Sequence, residues 1–161
     1  MRFTSVNPTT GQVLLTYSEM DLPEATQKVS QSDEAFNAWK DTAFSLRSSL
    51  MKKAADILLK KKESVACLMT EEMGKPISQA HSEIDKCAWL CQYFADNAEE
   101  FLKPETIKTD AQKSYVAYEP LGVILAIMPW NFPFWQVFRA AVPALLAGNT
   151  MVLKHASNVP G

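Results

Sequence analysis

Apolar positions follow three rhythms along the chain. Near the start they alternate: Val13, Leu15 and Tyr17 are separated by other residues, and Pro8 and Gly11 supply turn chemistry, so Phe3–Tyr17 is expected to form a short hairpin. From Asp21 onward the spacing changes to steps of three and four. Asp21 followed by Glu24 is a capping box, and Leu22, Ala25, Val29, Phe36 and Trp39 recur on one helical face. A second helix is expected from about Ser45 to Lys62, with Leu46, Leu50, Ala54, Ile57 and Leu58 as its stripe and lysines at its carboxyl end, where the dipole favours them. A third, Glu63–Met73, stops at Gly74, and Pro76 suits the start of a fourth. That fourth helix, about Ile77 to Leu102, carries Ile77, Ala80, Ile84, Cys87, Cys91, Phe94, Ala98 and Phe101 as a packing seam.

The third rhythm follows Pro104. Ile107–Glu119 reads as a two-stranded ribbon turning near Asp110–Gln112. Leu121–Ile127 is a near-continuous apolar run, as expected of a strand buried on both faces of a parallel sheet. Met128–Pro133 breaks it, Phe134–Ala147 is long enough for a crossover helix, and Gly148–Asn149 makes a helix stop. Thr150–Leu153 is a second apolar strand that runs into Lys154. The class is therefore α/β. A βαβ unit sets the carboxyl end of its first strand beside the amino end of its helix, where ligands of open α/β sheets bind, and Pro129–Pro133 falls there.

Charge and cysteine content narrow the classes. With 16 basic and 18 acidic residues the net charge is −2, which offers no footprint for nucleic acid or a membrane surface. The first residues lack the apolar core of a signal peptide, and no apolar run approaches the ~20 residues of a membrane span. Three cysteines, an odd number, suit a reducing cytoplasm better than a disulfide framework. Cys87 and Cys91, with His81 six residues before the first, fall inside the apolar seam, so they are expected to pack as small hydrophobes and no metal is expected.

Six ordered segments carry a resemblance: Asn7–Val13, Glu72–Ile77, Glu119–Val123, Pro129–Pro133, Pro143–Asn149 and Val152–Lys154. Together they resemble the aldehyde dehydrogenase superfamily, and within it most of all the succinate-semialdehyde dehydrogenases. The resemblance implies oxidation of an aldehyde to a carboxylic acid, with NAD or NADP accepting hydride. It also implies a division into a hairpin and helical part of the cofactor domain (1–106), an oligomerisation β-ribbon (107–119) and the first βαβ of a Rossmann-like cofactor domain (120–161). It reaches only the amino-terminal third of family enzymes. Their nucleophilic cysteine and general-base glutamate have no counterpart here, and two parallel strands alone would leave an open apolar edge. The chain is thus expected to be a fragment, inactive alone. A homo-oligomer, dimer or tetramer, is implied for the intact enzyme; the ribbon Lys113–Tyr118 either joins a neighbouring subunit's sheet or is a local edge hairpin.

The site residues follow from chemistry and resemblance together. When a thiolate attacks an aldehyde, the carbonyl oxygen gains negative charge, and a fixed amide donor there is worth about 3 kcal/mol of barrier. Asn131 matches the family's asparagine in that role; the alternative is an asparagine that only satisfies turn backbone groups. Met128, Pro129, Trp130 and Asn131 are expected along the cofactor, with Lys154, His155, Ala156 and Ser157 at its adenosine end. Many NAD-preferring members carry a glutamate at the position of Ser157; a serine can donate to a 2′-phosphate that a carboxylate would repel, which leans towards NADP. Arg139 interrupts an otherwise apolar helix, and family members acting on succinate semialdehyde use an arginine there to hold the far carboxylate. The alternative is an arginine whose head simply reaches water. Phe132 and Trp135 would wall the aldehyde channel, or serve as core. Two other readings stay open: a catalytically incompetent cofactor-pocket and oligomerisation module, and a dehydrogenase for another aldehyde.

Overall fold

The computed structural model describes residues 2–161. Strands β1 (Arg2–Val6) and β2 (Val13–Ser18) form an antiparallel hairpin, followed by helices α1 (Leu22–Trp39), α2 (Phe44–Lys60), α3 (Lys62–Met73) and α4 (Ile77–Phe101). A short ribbon, β3 (Glu105–Thr106) and β4 (Tyr115–Val116), precedes the βαβ unit of β5 (Val123–Ile127), α5 (Pro133–Leu146) and β6 (Thr150–Lys154). Strands β5 and β6 pair in parallel, Val123 opposite Thr150 through Ile127 opposite Lys154.

Local chemistry explains most boundaries. Asp21 Oδ1 accepts from the Glu24 amide at 2.8 Å while Glu24 Oε2 accepts from the Asp21 amide at 3.0 Å, the reciprocal bonds of a capping box. Helix α3 ends because Gly74 takes φ of 70°, a left-handed conformation that side chains disfavour. Helix α5 begins at Pro133, whose fixed φ suits the first helical position, but its N-cap is Phe132, which has no oxygen to offer. Beyond α5, Asn149 Oδ1 accepts from the amides of Leu121 (2.7 Å) and Gly122 (3.2 Å), tying the helix exit to the entrance of β5.

The core centres on α4. Its Ala80, Ile84, Cys87 and Cys91 pack with Met51, Ala55 and Leu58 of α2, Met69 of α3, and Val142 and Leu146 of α5. The expected seam of α4 holds in the middle and frays at both ends, where Ile77 and Phe101 are exposed. Three expectations are corrected. The buried stripe of α2 is Met51, Ala55 and Leu58; Leu46, Leu50 and Ile57 are exposed, and Leu50 and Ala54 line an apolar groove of about 630 Å³ shared with α1 and α5. The helix has two apolar faces, and the stripe alone does not say which one meets α4. Helix α1 buries no residue fully, and Leu22 and Val29 are exposed because only its second half reaches the sheet and α5. Strand β5 starts at Val123 and is not covered on both sides: Leu125 and Ile127, which share a face by alternation, are 64% and 68% exposed. Among the described residues that sheet has two strands only, and its face bearing Leu125 and Ile127 is left open.

The ribbon pairs from Glu105, two residues ahead of its expected start, and Ile107 N–H adds a bond to Ser114 C=O at 2.9 Å. Both of its strands are exposed. Among the described residues no helix is long and apolar enough to cross a membrane.

Candidate active site

The parallel register sets the ends of β5 and β6 level, and Met128 N–H extends the ladder by bonding Lys154 C=O at 3.0 Å. Met128–Asn131 and Lys154–Ser157 therefore leave the same edge of the sheet side by side, where a βαβ fold presents its ligand site. Pro129, Trp130, Asn131, Lys154 and Ser157 are exposed there; Met128, His155 and Ala156 are half-buried. The His155 ring lies 6.1 Å from the Phe3 ring, and its Nδ1 is 2.8 Å from Ala156 O, so this histidine leans on the amino-terminal hairpin.

Four of the expected residues converge elsewhere on the same loop and helix. Asn131, Phe132, Trp135 and Arg139 line a cleft of about 540 Å³ between the start of α5 and α4. Asn131 stands at its rim, exposed, and is not sealed into the interior. Arg139 is exposed, and its guanidinium donates to Gln136 Oε1 at 2.8 Å, one turn back towards Asn131. Met128, Pro129, Trp130 and the Lys154–Ser157 segment do not line this cleft. The structure thus divides the expected site in two: a cleft on the α4 side of the loop and a strand-end edge on the other, with Asn131 on the segment between them.

Glu83 and Lys75 hold that division, and neither is among the expected site residues. Glu83 is buried on α4, and its Oε1 accepts from the amides of Phe134 (3.0 Å) and Trp135 (2.9 Å), two of the free donors at the start of α5. Its other oxygen pairs with the buried Lys75 ammonium. The Lys75 Nζ also sits 4.0 Å from the centroid of Phe132, the residue after Asn131. A carboxylate at a helix amino end is favoured by the dipole, and here it replaces the N-cap that Phe132 cannot supply. A signal did exist: Glu83 lies three residues after Ala80 and four before Cys87, in register with the buried seam, although a glutamate is ordinarily read as solvated.

The far end of α5 is capped from a distance as well. Trp39 Nε1 donates to Leu145 C=O at 2.9 Å, and Arg47 Nε donates to Leu146 C=O at 3.0 Å. Partial burial lowers the Arg47 pKa from its ordinary value. Cys87 and Cys91 are fully buried and unbridged; burial pushes their thiols up to about 12 and about 11, so they behave as packing groups and not as nucleophiles.

A parallel βαβ unit whose loop at the carboxyl end of the first strand presents Asn131 belongs to the α/β class, whose open sheets bind ligands at that end. The chain belongs to the aldehyde dehydrogenase family, whose model matches residues 1–161. It is 51% identical over 160 residues to a probable succinate-semialdehyde dehydrogenase [NADP(+)] of Synechocystis sp., covering 99% of this chain and 35% of that protein. The succinate-semialdehyde dehydrogenase [NADP(+)] of Mycobacterium avium is 42% identical over 164 residues, again covering 99% of this chain and 35% of the relative. Among solved structures, the succinic semialdehyde dehydrogenase of Streptococcus pyogenes in complex with NADP+ superposes with a TM-score of 0.94 at 34% identity, covering 98% of this chain and 35% of that one. The chain thus spans about a third of the length of the relatives it matches, and its α/β fold is theirs over that span.

Proposed function

We propose that the whole protein oxidises a small aldehyde bearing a carboxylate, succinate semialdehyde, to the dicarboxylic acid, with NADP+ or NAD+ as the acceptor and NADP+ preferred. The observation that carries this reading is the convergence of Asn131 and Arg139 on one cleft, an amide donor on the loop that precedes α5 and a guanidinium on the second turn of that helix. The names of the relatives agree with it.

In this reading the Asn131 amide donates to the carbonyl oxygen as negative charge develops on it, and does so without titrating. Glu83 and Lys75 keep the loop that carries Asn131 fixed, so the donor needs no reorganisation. Arg139 holds the far carboxylate, and the faces of Phe132 and Trp135 exclude water from the chain between. The bound dinucleotide supplies the two-electron acceptor. Lys154 and Ser157, both exposed at the end of β6, fit its adenosine ribose, and with no carboxylate from Lys154 to Ser157 a 2′-phosphate meets donors only. The nucleophile and the general base lie outside these residues, so the described segment alone is inactive. Lys113–Tyr118, exposed on the ribbon, supplies the contact of a homo-oligomer. Three unbridged cysteines suit a cytoplasmic enzyme.

The test is a pair of substitutions in the full-length protein. Asn131→Ala should lower kcat about 100- to 1000-fold while the unfolding midpoint stays put. Arg139→Leu should raise KM for succinate semialdehyde about tenfold or more and leave butyraldehyde little changed. If Arg139→Leu impairs both aldehydes equally, the carboxylate-anchor reading fails and another aldehyde is the substrate.

A further inference from the structure

The cleft beside Asn131 is lined by two cations, Arg139 and Lys86, and one acid, Glu83. The acid is already committed to the Lys75 ammonium and to two backbone amides, and it is buried. Neither cation has a carboxylate partner among the described residues. Arg139 bonds only the neutral Gln136, and Lys86 places its Nζ 3.9 Å from the centroid of Trp135, on the face of the ring. Neighbouring charges do not answer Lys86 either, since the adjacent Asp85 is paired with Lys62 at 2.6 Å. The cleft therefore carries an uncompensated positive field.

Position makes that field directional. Trp135 and Arg139 are four residues apart on α5 and share one face, with side chains leaning back towards the amino end. A cation stacked on Trp135 thus lies about 6 Å, one turn, nearer to Asn131 than the root of Arg139. Lys86 reaches the same spot from α4, across the cleft. An anionic tail entering along α5 would meet cations from both walls.

We propose that Lys86 is a second specificity residue of this cleft, drawing the carboxylate of the substrate in and sharing it with Arg139. This inference rests on the reading of Arg139 given above and deepens it. Because Lys86 is exposed, its contribution is long-range attraction screened by salt, unlike the bidentate contact that Arg139 can make. The Lys86 ammonium itself lies over Trp135, so a neutral side chain of similar length keeps the bulk there and removes the charge together with its contact to the ring.

The experiment compares wild type, Lys86→Met and Lys86→Arg in the full-length enzyme, with succinate semialdehyde and butyraldehyde, at low and high ionic strength. Lys86→Met should raise KM for succinate semialdehyde about threefold at low salt without lowering kcat, and flatten the salt dependence of kcat/KM. Butyraldehyde kinetics should not respond to the charge, and Lys86→Arg should restore both KM and the salt dependence. An unchanged KM at low salt, or an equal change for the two aldehydes, overturns the role of Lys86 while Arg139 still discriminates between them. A wild-type enzyme that takes the two aldehydes alike overturns the parent reading, and this one with it.

Discussion

The two ends of α5 pose the same physical problem and meet it differently. Each leaves backbone groups without helical partners, and each is capped by residues far away in sequence. At the carboxyl end, Trp39 and Arg47 donate to Leu145 and Leu146 from half-buried positions. At the amino end, Glu83 is buried, charged, bound to two amides and neutralised by a buried lysine. Burying an ion pair is costly in desolvation, and an apolar pair of equal volume often serves stability as well or better. That arrangement stands at the end whose loop carries Asn131. The contrast teaches that one end is built for anchorage, the other for fixed geometry at the rim of a cleft.

Glu83→Leu tests this most severely. It strands Lys75 as a lone buried charge and frees two amides, and should cost about 4 kcal/mol in urea unfolding. Adding Lys75→Met should recover much of that loss, since the unpaired charge goes with it. Kinetics of the recovered double variant separate the two functions of the pair: a stable enzyme with a low kcat marks the pair as a positioning device, and a fully active one reduces it to a scaffold. At the opposite end Arg47→Met should cost about 2 kcal/mol, the scale for a bond from a charged donor. Trp39→Phe removes a neutral N–H donor together with part of the ring system, and the lost donor's share of the cost should be about 1 kcal/mol. Neither is expected to alter kcat. A cost for Arg47→Met equal to that of Glu83→Leu would erase the asymmetry.

The smallest expected effect is a pH dependence. Cys87 lies one turn beyond Glu83, and burial first, then the Glu83 charge, push its thiol from 9.0 up to about 12. The folded state binds this proton more tightly than the unfolded one. The stability it confers is therefore complete below pH 9 and is lost as pH rises through 12. Unfolding followed against pH should show a downward alkaline limb that Cys87→Ala makes shallower. A limb unaffected by the substitution would mean the helix beside the amino end of α5 admits water.

Much of this architecture was legible in the residue pattern. The capping box at Asp21, the stop at Gly74, the seam of α4 and the strand–loop–helix–strand run from Val123 to Lys154 each rest on local rules, and local rules survive folding. The shared face of Trp135 and Arg139 was legible too, because a helix places residues four apart on one face; Asn131 and Phe132 join them from the loop that enters the helix. What escaped depended on non-local geometry. Alternation marks the two faces of β5 without saying what covers them, so Leu125 and Ile127 read as buried. Glu83 and Lys86 sit three residues apart on α4; one is buried and one exposed, and only the approach of α5 distinguishes them.

The three side chains that cap α5, Trp39, Arg47 and Glu83, and the Lys75 that neutralises Glu83 all precede it in the sequence. A ribosome releases them first. By the time Pro133 emerges, the segments that will receive both tips of the nascent helix have already left the exit tunnel, and docking need await nothing made later. For a helix without a polar residue of its own at its first cap, that order of synthesis shortens the interval in which its apolar flank stands exposed to aggregation.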